Sequence, residues 1–355
     1  TPIIGIYGAA VGVVLGSLLH MLVQLPLSFH LGFRYQPLLL PNHPAVKSIR
    51  HLMIPRTLAL GASQAEHWIA VTIASNLIAG SLSMFSFARQ LYILPITLFG
   101  VSLGQASFPR LSSQAHDLDQ FKKTLGHTLL QIFFFALPAS SLLLILRIHN
   151  IRLIFGANNF PWSATLLTAK VLAVFSLAIV PEASRQILDR AFYALEDTKT
   201  PFYISLTTVI ISLLLSLIFS FYFKLGIFGL ASALVITDLL GFLALAILIQ
   251  RRLGSINIYF PASKMIVATI FTTVSLWIPF RLLDQFIFDT TRTLPLIVLT
   301  LITSAVGLLV YFIFCTLFKV EELKTVIHII KRFGNWHKIL DRSQEVIEPP
   351  SLSTN

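Results

Sequence analysis

Nine stretches of the chain are apolar over lengths that match the thickness of a lipid bilayer. A bilayer core of about 30 Å takes roughly 20 helical residues to cross, and it leaves no water to bond an exposed backbone. Barrel strands are shorter, so the stretches predict an all-α integral membrane protein, a polytopic bundle of about nine transmembrane helices. The stretches lie near residues 3–27, 57–79, 82–108, 124–147, 162–183, 202–223, 227–249, 263–283 and 294–318.

The basic residues fall mostly between alternate stretches. If these connections all lie on one side of the membrane, that side carries 19 of the 26 Lys and Arg residues. The connections include 30–56, 108–123 and 185–199. Positive charge marks cytoplasmic loops, so we expect the C-terminus in the cytoplasm of the cell. The net charge of +11 is then a topology signal, and no nucleic-acid partner is expected. With nine spans and a cytoplasmic C-terminus, Thr1 would lie on the outer side of the membrane.

A short motif that occurs twice in the sequence indicates a duplicated architecture. Residues 5–8, Gly-Ile-Tyr-Gly, open the first stretch, and residues 226–229, Gly-Ile-Phe-Gly, open the seventh. Duplicated halves are a common transporter plan, although such glycine pairs are also frequent in membrane helices generally. The predicted organisation begins with the last helix of an N-terminal lobe that is otherwise missing, at 1–29, and a cytoplasmic connection and helix start at 30–56. A complete six-helix lobe follows at 57–252. A transmembrane hairpin at 261–318 and a cytoplasmic amphipathic helix and disordered tail at 319–355 end the chain.

Ionisable side chains inside the predicted spans are costly to hold in hydrocarbon, which makes each a candidate for function. Arg89 lies about nine residues past the turn near Gly80, which is roughly 13 Å down a helix. Either it pairs with Glu66, or it faces a water-filled cavity and receives an anionic ligand, because a guanidinium binds phosphate through two parallel hydrogen bonds. Both interpretations stay open. The full set of such residues is Glu66, His67, Arg89, Lys170, Glu182 and Asp238.

The remaining candidates rank below Arg89. His67 has no second ligand three or four residues away, so no metal site is expected. Glu182 follows Pro181, which indicates a helix break. No P-loop, G-x-S-x-G or H-E-x-x-H motif is present, so we expect a transporter without a cofactor rather than an enzyme. In the segment LEDTKTP, Asp197 or Thr198 suits the N-cap of a helix that begins near Pro201.

Four segments together resemble one known family, the MurJ (MviN) lipid II flippases of the multidrug/oligosaccharidyl-lipid/polysaccharide exporter superfamily. The resemblance runs from Thr1 to about residue 318 and corresponds to the sixth through fourteenth helices of a fourteen-helix family. The segments are GIYGAAVGVVLGSLLHMLVQLP from residue 5, MIPRTLALGASQ from residue 53, FARQLYILPITLFGVSLGQASFPRLS from residue 87 and DRAFYALEDTKTP from residue 189.

The resemblance implies a function and a site. The family moves an undecaprenyl-pyrophosphate-linked peptidoglycan precursor from the inner to the outer leaflet of the bacterial inner membrane, as two lobes alternate access around a cationic cavity. The partners implied are this lipid substrate, membrane lipids and the missing N-terminal lobe, and the last two helices are expected to hold the polyprenyl tail. The family's Asp-Arg pair falls on Arg89-Gln90, displaced by one residue. The candidate substrate-binding residues are Arg89, Glu66, Gln90 and Arg56.

Two other functions stay open. One is an exporter of a different polyprenyl-linked glycan or of small cations in the same superfamily. Cation exporters would be expected to centre on acidic groups, for which Glu66 and Asp238 are the candidates. The other is a non-transporting membrane scaffold for cell-wall enzymes. The segment after Lys319 is too short for a second folded domain, which ranks this function last.

Overall fold

The computed structural model describes residues 7–32, 43–156, 160–286 and 293–324, and over these residues the chain is helical with no β-strand. Two π-helical segments, Ile96–Val101 and Ile218–Tyr222, continue helices α3 and α9. The α-helices are α1 Tyr7–His30, α2 Pro44–Ser75, α3 Ser81–Pro95, α4 Ser102–Ser113, α5 Leu118–Ile145, α6 Arg147–Phe155, α7 Trp162–Ser176, α8 Ile179–Ala194, α9 Lys199–Leu217, α10 Gly226–Leu253, α11 Tyr259–Phe286 and α12 Thr293–Leu317.

The helices confirm the prediction of an all-α polytopic membrane protein. Within the described ranges, seven helices are long and apolar enough to cross a membrane, and the bent pair α7–α8 makes eight. These coincide with eight of the nine predicted stretches. The ninth, 57–79, lies mostly on α2, which is helical over Pro44–Ser75 but is not among the helices that meet that test of length and apolarity.

A proline explains the bend between α7 and α8. The two helices meet at an angle of 46°, and the break falls at Leu177, the residue whose carbonyl would clash with the ring of Pro181 four positions later. The carbonyl of Ser176, freed at the break, accepts a hydrogen bond of 2.6 Å from Ser140 Oγ on α5, which satisfies it inside the bundle. The prediction of a helix break beside Glu182 is therefore correct.

Helix α8 also corrects one predicted connection. Residues 185–199 were expected to form a cytoplasmic loop, but α8 continues to Ala194. Arg185 is 8% exposed, so it belongs to the bundle interior rather than to a basic loop. The cause is that hydropathy alone cannot separate a loop from a helix with one polar face.

Helices α9 and α10 pack closely because small residues face one another. Each helix places a buried small side chain at four-residue intervals, and such pairs let two backbones approach. A Cβ on Gly229 would lie 2.7 Å from the carbonyl carbon and oxygen of Phe219. The facing residues are Ser212, Ser216 and Ser220 on the α9 side and Gly229, Ala233, Thr237 and Gly241 on α10.

The chain divides by contacts into two compact units, Thr1–His51 and Leu52–Asn355. In the first unit, no described side chain of the apolar stretch Ala10–His30 is buried. In the second unit, α11 and α12 pack on α5, where Tyr311 Oη donates a 3.1 Å hydrogen bond to the Phe134 carbonyl. The amphipathic helix and tail predicted for 319–355 lie outside the described residues from residue 325 onward.

Asp197 caps α9, which gives a first testable prediction. Its carboxylate accepts hydrogen bonds from Thr200 N at 3.0 Å and Thr200 Oγ1 at 2.8 Å, and it pairs with Arg252 at 3.0 Å. Asp197→Ala removes the cap and should destabilise the protein by about 1 kcal/mol. Asp197→Asn keeps a capping oxygen. It should lower the stability by only a few tenths of a kcal/mol, about the contribution of an exposed ion pair. Thermal unfolding in detergent compares them, and equal losses would contradict the capping role.

Candidate functional site

A cavity of about 370 Å³ lies within the second unit. Its walls come from α2, α3, the first π-helical segment, α8 and α10, so it draws on helices distant in sequence. Its lining is rich in charge for a membrane-embedded site. The ionisable residues that line it include four carboxylates and two guanidinium groups, namely Glu66, Glu182, Asp189, Asp238, Arg89 and Arg185.

Helix α8 supplies the largest polar share of this cavity. Its lining residues recur every three or four positions, so they share one face of the helix. The helix lies inside the bundle, where nine of its residues are buried, Arg185 among them. The lining residues of this face are Glu182, Arg185, Gln186, Asp189 and Tyr193.

Arg89 faces a cavity, as the second interpretation of its sequence position required. Its side chain is half-buried and lines the cavity. Its Nη1 donates a hydrogen bond to Nδ1 of His67 on α2. Because arginine can only donate, Nδ1 must be the unprotonated ring nitrogen, so this contact requires neutral His67.

The alternative partner of Arg89 is not engaged. Glu66 also lines the cavity, yet among the described residues no ion pair within 4.0 Å joins it to Arg89. The two helices approach so that the neighbouring His67 receives the guanidinium. The predicted Arg89–Glu66 pair is therefore replaced by an Arg89–His67 contact, and Glu66 keeps its carboxylate available to the cavity.

Three further hydrogen bonds order the charged lining. Arg185 Nη2 donates to Ser205 Oγ at 3.2 Å. Gln186 Nε2 donates to Glu182 Oε1 at 2.9 Å. The buried phenol of Tyr92 donates to Asp238 Oδ2 at 3.1 Å. These bonds fix the rotamers of groups that would otherwise be costly to hold away from water.

Asp189 is the least satisfied of the carboxylates. Its Oδ1 is buried and has no hydrogen-bond partner among the described residues. Arg190, the next residue, donates instead to the Gln186 carbonyl at 2.7 Å. A buried acceptor with no hydrogen-bond partner is unusual, and the positive charges that act on this carboxyl group are those of Arg185 and Arg190.

The other predicted site residues lie outside the lining. Gln90 is exposed and turned about 100° away from Arg89 along the helix; it does not line the cavity. Arg56 is also exposed, but its guanidinium lies 5.1 Å from the ring centroid of Tyr193, which does line the cavity. Arg56 therefore contacts the site through a cation–π interaction. Lys170 is exposed on α7.

The lining has a definite charge balance. The lining holds four carboxyl groups and two guanidinium groups, and low-dielectric surroundings strengthen the interactions among those that are charged. An anionic group is attracted to the Arg89 side, where the partner is a neutral imidazole, and repelled by α8 and α10. Among the described residues, no group of three or more His, Cys, Asp or Glu is placed to hold a metal ion.

Known sequences match most of this chain. The sequence profile of the family described as "Lipid II flippase MurJ" matches residues 2–295. A Thermotoga maritima protein named "Probable lipid II flippase MurJ" is 27% identical over 319 residues, covering 90% of this chain and 62% of that protein. A Burkholderia cenocepacia protein named "Lipid II flippase MurJ" is 30% identical over 225 residues, covering 60% of this chain and 43% of that protein.

Solved structures match the fold as well. "Lipid II flippase MurJ, inward closed conformation" aligns with a TM-score of 0.63 and 24% identity, over 81% of this chain and 57% of that one. The Vibrio cholerae MATE transporter VcmN in the bent form aligns with a TM-score of 0.52 and 17% identity, over 76% of this chain and 65% of that one. The chain thus spans about two-fifths to three-fifths of the length of the flippase relatives it matches.

Proposed function

We propose that this chain, which belongs to the lipid II flippase MurJ family, forms the cavity-bearing lobe and the C-terminal hairpin of a lipid II flippase. The protein would carry an undecaprenyl-pyrophosphate-linked peptidoglycan precursor from the inner to the outer leaflet of the bacterial inner membrane, with its C-terminus in the cytoplasm. It would act as a transporter, with no catalytic step. The observation that carries the proposal is Arg89, a guanidinium that lines a cavity within an apolar helix.

The chemistry of the substrate explains why such a cavity is needed. A pyrophosphate cannot enter hydrocarbon without groups that replace its water. Arg89 can offer two parallel N–H donors to phosphate oxygens, and the neutral His67 that now accepts one of them is easily displaced. We assign Arg89 as the primary pyrophosphate contact and Glu66 to the sugar or peptide portion, where a carboxylate can accept hydroxyl and amide hydrogens. Arg56 would contribute from the rim, whereas Gln90 lies outside the lining.

The charge balance implies that this lobe does not hold the pyrophosphate alone. Four carboxylates face two guanidinium groups, so an added anion gains little from this half of a site. The relatives include a further part that this chain does not match. We propose that an equivalent N-terminal lobe, of which α1 is the last helix, supplies additional cations, and that the two lobes close around the substrate as access alternates.

The hairpin of α11 and α12 fits the lipid tail. Its outer side chains are apolar and exposed, while its inner side packs on α5. Within the bilayer a polyprenyl chain can exchange with other lipid tails on such a surface, and it gains van der Waals packing there rather than hydrophobic free energy. The head group would then travel through the cavity while the tail stays in the membrane. Exposed apolar residues on the hairpin include Ile270, Phe271, Val274, Leu301, Leu309 and Ile313.

One observation favours a second candidate function. Four carboxylates in one cavity are typical of sites for cations, so an exporter of small cations in the same superfamily is the alternative. The two candidates differ in what they require of Arg89. A flippase needs a positive group to receive the substrate, whereas in a cation exporter Arg89 would oppose binding.

Rescue of a flippase-depleted bacterium tests the proposal. The complete gene product that includes these residues is expected to restore growth and to expose lipid II at the outer leaflet, measured by its degradation by an enzyme added outside the cells. An empty vector is the control for background, and membrane abundance is measured by immunoblot. Normal abundance without rescue would argue against the flippase, and resistance to cationic dyes in the same cells would favour the second candidate.

A further inference from the structure

A second cavity of about 410 Å³ lies between α4 and α5, away from the transport cavity. Arg110 from α4 and Lys123 and His127 from α5 line it, together with the hydroxyls of Ser107 and Thr124. None of its described lining residues is acidic. We refer to this cavity, defined by Arg110, Lys123 and His127, as the α4–α5 groove.

The cations of the groove are not used by the fold. Among the described residues, neither Arg110 nor Lys123 has a carboxylate within 4.0 Å, and both side chains are exposed. His127 bonds only to the amide of Gln131 in its own helix, at 3.1 Å. Two cationic side chains, one on each helix, with an imidazole beside them and no ion-pair partner among the described residues, form a site for an anion rather than an internal ion-pair network.

One carboxyl lies near the groove without lining it. Glu322, in the turn after α12, interacts electrostatically with His127, and its side chain is buried. That burial raises the pKa of Glu322, which favours the neutral form of the carboxyl. Glu322 is not among the residues that line the groove, where Arg110 and Lys123 are exposed.

The polarity of the groove changes along its length. Lys123 lies at the second turn of α5, about 8 Å from the start of the helix, and Gln131 lies about 12 Å further along it. Apolar side chains of Leu103 and Ala106 line the groove beside its polar residues. Beyond its inner end, Phe99 stacks on Phe135 with ring centroids 5.2 Å apart.

This gradient is the profile of a phospholipid. Helix α5 has 28 residues and is about 42 Å long, so its ends extend past a hydrocarbon core of about 30 Å into head-group layers about 5 to 8 Å deep, and Lys123 lies near one of these ends. The apolar wall continues towards the acyl chains. We infer that the α4–α5 groove binds the phosphate of an anionic membrane lipid, with Arg110 and Lys123 as its charged contacts and the hydroxyls of Ser107 and Thr124 as hydrogen-bond partners. On the topology proposed above, this lipid comes from the cytoplasmic leaflet, where anionic head groups are attracted to basic residues.

Lipid retention tests the inference. The complete gene product is reconstituted in nanodiscs of phosphatidylcholine with phosphatidylglycerol, extracted into detergent, and its bound phosphatidylglycerol is counted by mass spectrometry. The wild type is expected to retain one phosphatidylglycerol that the double variant Arg110→Gln/Lys123→Gln loses, with affinity weaker by about 10-fold or more. The matched control Lys199→Gln/Arg251→Gln removes two exposed cations from the same end of the bundle and should retain the lipid.

Two further arms separate the sources of phosphate and guard against misfolding. Inorganic phosphate added to protein in pure phosphatidylcholine should leave the unfolding temperature unchanged; a rise that the double variant lacks would assign the groove to a free anion and overturn the lipid. The charge-preserving pair Arg110→Lys/Lys123→Arg should retain the lipid. Equal retention by the double variant and the control would overturn the inference, and the flippase proposal would be untouched, because the groove is separate from the transport cavity.

Discussion

Arg89→Ala is expected to abolish rescue of flippase-depleted cells. The Arg89 guanidinium lines the cavity and contacts the imidazole of His67, whereas the second cavity guanidinium, Arg185, lies on α8 with Glu182 and Asp189. A charge-assisted hydrogen bond to phosphate contributes about 1.5 to 3 kcal/mol, so its loss weakens substrate binding by about 10- to 100-fold. Arg185 remains beside the carboxylates of α8 and α10 in this variant, so the change removes the charge on the Arg89 side of the cavity alone. Colony counts after depletion and lipid II at the outer leaflet report the effect.

Two matched variants give this experiment its contrast. Arg89→Lys keeps the charge but loses the paired donors, so partial rescue is expected. Gln90→Ala changes the adjacent exposed residue outside the lining and should rescue as well as the wild type. All three proteins must reach the membrane at equal abundance. Normal rescue by Arg89→Ala would exclude a substrate-binding role, and improved handling of cationic dyes by that variant would favour the cation exporter.

The sequence predicted the helices because hydrocarbon imposes a length and a backbone requirement on any span. It also located the break before Glu182, since Pro181 excludes a regular helix at Leu177. Depth along a helix was predictable too. Arg89 was expected about 13 Å along its helix from the turn near Gly80, within the membrane, and its side chain lines a cavity among the membrane helices.

Rotation and inter-helix pairing were not predictable in the same way. Glu66 and His67 are adjacent in sequence and about 100° apart around α2, so the choice between them as partner of Arg89 depends on how the helices pack. Arg185 and Asp189 were missed because the predicted span ended at 183, although the three- and four-residue spacing from Glu182 onward was a readable signal of a polar helix face. That spacing would have extended the helix and found most of the cavity's charge.

The cavity also depends on one close approach between helices, which a single methyl group can test. Gly100 lies in the π-helical segment Ile96–Val101, and a Cβ there would lie 2.7 Å from Ala183 Cα and 2.8 Å from the Ala183 carbonyl oxygen on α8. These are backbone atoms, so no side-chain rotation can relieve the contact. The neighbours Thr97 and Glu182 both line the cavity, which makes this approach the spacing between two of its walls.

Gly100→Ala is therefore expected to lower the stability by about 1 to 3 kcal/mol, the usual range for overpacking, and to reduce rescue by forcing α8 away from the π-helical segment. Thermal unfolding in detergent and rescue at matched abundance are the two measurements. Gly61→Ala is the control, because a Cβ there meets no heavy atom within 4 Å and alanine favours the helix by about 0.5 to 1 kcal/mol. If both alanines leave the unfolding temperature unchanged, the walls are not held by this contact. If only Gly100→Ala lowers it while rescue stays normal, the spacing stabilises the fold without setting the shape that the substrate requires.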